Sequence, residues 1–141
     1  IVFVLDVTGD GVCTPHPINA LKLWDWYGTV HKLTTDLFWL DDSLAAVRCH
    51  DVLRALDMAR ELPDCEASSV RLHARGRFNL YAEIAAALDD RIAAVETADG
   101  TDSVAAWVRS RYYDTSDTVG HILPGMLQVF DLPDLRRWRG R

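Results

Sequence analysis

Val70-Arg71-Leu72-His73-Ala74-Arg75-Gly76-Arg77-Phe78-Asn79-Leu80-Tyr81-Ala82-Glu83-Ile84-Ala85-Ala86-Ala87-Leu88 is the stretch that decides the fold. Val70 to Ala74 reads as a short strand, and Arg75-Gly76-Arg77 as a turn. Phe78 to Leu88 is nearly all apolar, with Glu83 its only charge, and a helix that is apolar all round is a buried one. Asp89-Asp90 closes that helix, and Arg91 to Thr97 reads as the next strand. A strand, a tight turn, a buried helix and a second strand make a βαβ unit, whose strands lie parallel and whose crossover is right-handed.

The same alternation extends towards the N-terminus. Ile1-Val2-Phe3-Val4-Leu5-Asp6-Val7 is apolar and β-branched and runs into Thr8-Gly9-Asp10-Gly11, which reads as a doubly covered strand ending in a loop. Residues 8–19 carry Gly, Thr, Pro and Asn and form that loop. Between Ala20 and Leu40, Leu21, Trp24, Tyr27 and Val30 recur at helical spacing. Gly28 and Thr34-Thr35 interrupt them, so a short helix and an aromatic-rich excursion are expected. From Asp41 or Asp42, with Ser43 in the cap, Ala45, Cys49, Val52, Leu56 and Ala59 form one helical stripe that Pro63 ends. Arg48, Asp51, Arg54 and Glu61 fall mostly off it. Towards the C-terminus, Ser103 to Tyr113 predicts a helix and Asp114 to His121 a polar loop. Asp131-Leu132-Pro133-Asp134-Leu135 reads as a helix start with Pro in the first turn. The pattern predicts a single α/β domain over residues 1–141, an open, mostly parallel sheet with helices on both faces. Its strands are expected near 1–7, 69–74 and 91–97, and its main helices over 43–62 and 78–88.

Composition sets bounds on function. The chain has 141 residues, 49% apolar and 26% charged, with a net charge of −6. That balance is globular, and an acidic chain without a basic block is a poor nucleic-acid binder. No apolar run approaches the roughly 20 residues of a membrane span. Cys13, Cys49 and Cys65 are odd in number and widely spaced, which predicts three reduced thiols. His16, His31, His50, His73 and His121 match no zinc spacing, and no glycine-rich phosphate loop occurs, so neither a metal nor a cofactor is implied. Because residue 1 is an Ile already inside a strand-like run, the chain is expected to be an internal fragment of a longer protein. One sheet edge is then bare and open to association.

In open parallel sheets, ligands bind at the carboxyl ends of the strands, so loops 8–19, 74–78 and 98–103 matter most. The second has the frame of a nucleophile elbow: strand, five-residue turn, buried alanine-rich helix. That frame is Ala74-Arg75-Gly76-Arg77-Phe78. With it go Arg54-Ala55-Leu56-Asp57, then Ala85-Ala86-Ala87-Leu88-Asp89-Asp90-Arg91-Ile92-Ala93-Ala94-Val95, then Ile122-Leu123-Pro124-Gly125-Met126-Leu127 and Asp131-Leu132-Pro133-Asp134-Leu135. In order and spacing these resemble the acetyl-xylan-esterase-like branch of the α/β-hydrolase family. Asp6-Val7-Thr8-Gly9-Asp10-Gly11 is similar to that branch's D-x-x-G-x-G stretch. The resemblance implies a partial α/β-hydrolase-type fold and, as substrate, an acylated carbohydrate or small ester.

It also places the family's serine on Gly76 and its second small position on the bulky Phe78. Glycine has no atom with which to attack an ester carbonyl, so the elbow is degenerate and the chain is expected to be inactive. Two rival readings stand beside this one. The first is a non-catalytic module binding a glycan or a protein. The second is an esterase with another nucleophile, for which Ser103 is the best placed, near Asp99 and Asp102. Ser68 and Ser69 lie at the wrong end of their strand. His73 sits inside a strand beside the turn, and His121 and His16 are loop histidines that can approach a cleft. Asp6, Asp10, Asp99 and Asp102 can meet at one sheet edge, though turn aspartates usually serve turn geometry. Trp24, Trp26, Tyr27 and Trp39 are expected in the core or in a lid.

Overall fold

A computed structural model of the chain describes residues 1–15, 28–63, 65, 69–112 and 118–140. Among these are six α-helices and one two-stranded sheet. β1 (Val70–Arg75) and β2 (Ile92–Ala98) pair in parallel, with Leu72 opposite Val95 and Ala74 opposite Thr97. The intervening α3 (Asn79–Leu88) follows a one-turn 3-10 segment, Gly76–Phe78. The βαβ unit read from the sequence is therefore present, within a residue of its expected bounds. Every residue of α3 from Asn79 to Ala86 is buried. The helix lies against both strands, against α2 (Leu44–Glu61) and against α6 (Leu132–Arg139).

α2 begins at Ser43, whose hydroxyl accepts the Ala46 amide at 3.1 Å, as its capping role requires. Its stripe of Ala45, Cys49, Val52 and Leu56 is buried against α3. α6 opens with a reciprocal capping box: the Asp131 side chain caps the first turn, and the Asp134 carboxylate accepts the Asp131 amide at 2.8 Å. Cys13, Cys49 and Cys65 are all free thiols. Burial, aided by the neighbouring Asp51 charge, pushes the Cys49 thiol up to about 12. No helix among the described residues is long and apolar enough to cross a membrane.

Several expectations are corrected. Residues 1–7, expected as a strand, do not join the sheet: only Val7 enters the core, and Ile1 to Leu5 stand exposed. The helices do not cover both faces. β1 alternates covered and exposed residues, Val70, Leu72 and Ala74 against Arg71, His73 and Arg75. The open face carries Arg71 and His73 beside Glu96, at 3.6 and 3.3 Å. The reason is visible in the strand: alternate polar residues cannot be buried between two helical layers. α1 (Thr29–Trp39) continues through Thr34 and Thr35, whose hydroxyls donate to the carbonyls of Val30 and His31 one turn back and so leave the helix amides to their own ladder. Gly28 is its N-cap rather than a break. Trp39, expected in core or lid, is 85% exposed. The helix expected over 103–113 is the shorter α4 (Val104–Arg109), and α5 (Met126–Val129) is one turn. His16, Trp24, Trp26, Tyr27 and Ser68 lie outside the described residues.

Candidate functional site

A cleft of about 790 Å³ opens at the carboxyl ends of β1 and β2, where the parallel topology places it. The turn Arg75-Gly76-Arg77-Phe78 forms one wall, and the segment from Asp99 to Ser103, with Trp107 of α4, forms another. Asp10 and His121 close the remaining sides. Gly76, Arg75, Arg77, Phe78, Ser103, His121 and Asp99 thus share one cleft. Ala74 lies one residue deeper in the strand. His73 points to the opposite, open face, where it meets Glu96 in a shallow hollow. Of the four aspartates, Asp10, Asp99 and Asp102 line the cleft; Asp6 does not, and instead accepts the Val12 amide at 2.9 Å.

The turn has an unusual backbone. Gly76 has φ of +58°, in the left-handed region that an L side chain rarely adopts. A Cβ built there meets nothing within 4 Å. Phe78, expected to crowd this position, turns inward instead: it packs on the core and lies edge-on to Tyr81 at 6.2 Å.

Ser103 is committed elsewhere. It is the N-cap of α4, accepting the Ala106 amide at 3.1 Å. It also donates its hydroxyl proton to Asp131 Oδ2 at 2.5 Å. Asp131 further accepts the amides of Val104 and Ala105 at 2.8 and 3.2 Å, besides that of Leu132. Burial opposes ionisation of Asp131, but these four hydrogen bonds outweigh it and hold the carboxyl below its usual range. A carboxylate so stabilised is a weak base.

The charged residues of the cleft come in pairs. Arg77 reaches Asp10 at 2.7 Å, and Arg75 reaches Asp99 at 2.9 Å. Burial works against ionisation of Asp10, yet the Arg77 hydrogen bond, the Gly11 amide and the positive charges of Arg77 and Arg48 keep its carboxyl below the usual range. Among the described residues no three His, Cys, Asp or Glu side chains gather as a metal site would need.

What holds the cleft open lies in the core. Arg48, read from its spacing as off the buried stripe, is 1% exposed. Its Nε donates to the Thr8 carbonyl at 2.9 Å, and its Nη1 to the Tyr81 hydroxyl at 2.8 Å. That hydroxyl donates in turn to the Gly120 carbonyl at 2.7 Å. One buried chain of hydrogen bonds therefore ties the loop bearing Asp10 to the turn Thr118–His121. Asp51 adds a second tie, accepting the Thr8 amide at 2.8 Å. On the far wall, buried Asn79 clamps Thr101 through both backbone groups, at 2.6 and 3.3 Å. Gly100 is required there, since a Cβ would fall 2.7 Å from the Asn79 side chain. His121 sits beside the rings of Trp107 and Tyr81, with centroids at 5.6 and 6.4 Å. Tyr81, Asn79, Arg48 and Asp131 went unread in the sequence as parts of a site. Only the Asp131 capping pattern gave a signal, and it pointed to a helix start.

No family model, curated protein or solved structure matches the chain.

Proposed function

We propose that the chain is an α/β-hydrolase-like domain whose cleft binds an acylated carbohydrate or small ester without cleaving it. The observation that carries this reading is Gly76: a strand-to-helix turn in the left-handed conformation, facing open space, with no side chain. That is the backbone of an elbow from which the reacting atom is missing. Acyl transfer needs an activated oxygen or sulfur at the turn and a base within about 2.6–3.2 Å of it. The flanking Arg75 and Arg77 offer only guanidinium N–H donors and serve as neither. Ser103 reaches the cleft, but its proton is directed at Asp131, a carboxylate already occupied by three backbone amides. The pairing of Arg77 with Asp10 and of Arg75 with Asp99 favours a neutral ligand. Paired charges leave little net field for an anion, yet they present donors and acceptors side by side, as hydroxyl groups need. Trp107 adds an aromatic wall.

The test is p-nitrophenyl acetate turnover by wild type, Gly76→Ser and Ser103→Ala, with isothermal titration of acetylated xylo-oligosaccharide in parallel. The expected result is negligible turnover in all three and saturable oligosaccharide binding that Arg77→Ala weakens. Turnover in wild type that vanishes in Ser103→Ala would replace this reading with an esterase built on Ser103.

A further inference from the structure

We propose that Asp10 sets the charge selectivity of the cleft: through Arg77 it makes the site one for an uncharged sugar ester and turns away a sugar that carries a carboxylate or a phosphate. This rests on the reading of the cleft given above, and it names the ligand class and the residue that enforces it. Two arginines of the elbow turn line the cleft, each beside an aspartate from another segment, but the two pairs are not equivalent. The side chains of Arg75 and Asp99 are 82 and 70% exposed, those of Arg77 and Asp10 31 and 28%. Water and salt screen the first pair, so it presents little field to a ligand. The second pair is largely withdrawn from solvent, and its charges act at close range.

Arg77 is held from two sides. Its Nη2 donates to Asp10 Oδ2 at 2.7 Å, and its guanidinium lies 5.0 Å from the centre of the Phe78 ring. Asp10 is mounted as firmly. Its amide donates to the Val7 carbonyl at 3.0 Å, its carbonyl accepts the Cys13 amide at 2.9 Å, and its Oδ1 accepts the Gly11 amide at 2.9 Å. Gly11 is itself required, since a Cβ there would overlap the Asp6 carboxylate that holds the Val12 amide. The Asp10 carboxylate therefore cannot swing aside for an incoming anion without giving up both Arg77 and the Gly11 amide. An anion arriving at Arg77 meets the Asp10 charge at nearly the same distance, and repulsion offsets attraction. A sugar hydroxyl accepts from the guanidinium and donates to the carboxylate at once, so neither charge has to move.

Two titrations test this. In the first, inorganic phosphate is added to the isotope-labelled chain and the amide shifts of residues 75–78 are followed. Asp10→Asn should bind phosphate at least about tenfold tighter than wild type, and Asp99→Asn at most about twofold tighter. Asp10→Ser should gain as Asp10→Asn does. Both keep an acceptor for the Gly11 amide, and the dispersion of the same spectra verifies folding. Adding Arg77→Gln to either should abolish the gain. In the second, calorimetry compares two acetylated glucuronoxylo-oligosaccharides that differ only in whether the uronic carboxyl is free or methyl-esterified. Wild type should prefer the ester at least about fivefold, and Asp10→Asn should narrow that to within about twofold. Phosphate affinity unmoved by both Asp10 variants, an equal gain in Asp99→Asn, a gain that survives Arg77→Gln, or wild-type binding of both oligosaccharides alike would each overturn the proposal. If neither oligosaccharide binds wild type, the sugar-ester reading fails, and the phosphate series alone still decides whether Asp10 governs charge selectivity.

Discussion

Replacing Tyr81 by Phe removes one oxygen and nothing else, which makes it the sharpest probe of how the cleft is held. The ring is 1% exposed and packs beside Phe78 and His121, so the volume of the core is unchanged and no cavity forms. What is lost is the middle link of the chain from Arg48 to the Gly120 carbonyl, with bonds of 2.8 and 2.7 Å. Both outer groups belong to buried residues. Each loses a partner that water cannot readily replace, and such a loss costs about 1–3 kcal/mol, more on the charged side. The guanidinium also stays 5.5 Å from the ring centroid, so its contact with the ring face survives. The sum for Tyr81→Phe is roughly 2–4 kcal/mol.

Urea unfolding followed by far-ultraviolet circular dichroism measures this as a lower midpoint at unchanged slope. Tyr112→Phe is the control: that ring is 83% exposed, and its change should stay within about 0.5 kcal/mol. The variant should also loosen the two loops that Arg48 and Tyr81 connect, seen as faster amide exchange at Thr8 and in 118–121. A loss below about 0.5 kcal/mol for Tyr81→Phe would refute the claim that this network holds the cleft walls.

Three further outcomes follow from single contacts. Glu83 is buried in α3 and accepts from Arg136 Nε at 2.8 Å, with Arg139 at 3.7 Å. Glu83→Ala should cost about 3 kcal/mol in denaturant titration, the lower end for breaking a buried pair because both arginines partly reach solvent, and Glu83→Gln should cost less. Gly100→Ala drives a methyl to 2.7 Å from buried Asn79 and should lose about 1–3 kcal/mol of thermal stability, whereas Gly140→Ala, whose nearest contact is 3.6 Å, should be near neutral. Asp131 and Asp10 are held below the ordinary carboxylate value of 3.8. The unfolded chain therefore takes up protons first as pH falls, so their contribution is complete above that value and is lost on acidification through the lower folded one. Asp131→Asn should lower stability at neutral pH and flatten the acid limb of the stability profile.

The βαβ unit was legible because two strong signals agreed there: an apolar run too uniform for a surface helix, and short β-rich runs on either side of it. The cleft's position followed from topology alone, and Gly76, Ser103, Asp99 and His121 were named from it. The open face of the sheet was legible too, in Val70-Arg71-Leu72-His73-Ala74-Arg75, whose strict alternation rules out a second covering layer. The general pattern of alternating strands and helices overrode that local evidence. Ile1–Val7 failed differently. Its composition specifies an extended backbone, but composition cannot say which edge receives it. Arg48 was misread because helical spacing sorts residues by angle, and a long cationic side chain at the margin of a stripe can turn inward when carbonyls and a hydroxyl await it.

The residues that shape the cleft and the residue that would do chemistry in it are independent. Walls are set by Arg48, Tyr81, Asn79 and Asp131, all tied into the core or into helix caps. Gly76 contributes to none of these ties: a side chain there would touch nothing within 4 Å. Its only demand is a left-handed backbone, which glycine meets without strain. No packing contact of the cleft therefore depends on a side chain at this position, and the cleft keeps its shape with glycine there. The converse holds for Ser103. Its hydroxyl caps α4 and bonds the residue that caps α6, so drawing it into catalysis would unfasten two helices. Ser103→Ala should thus appear as a loss of stability of about 1 kcal/mol, with ester turnover unchanged if the proposed reading holds.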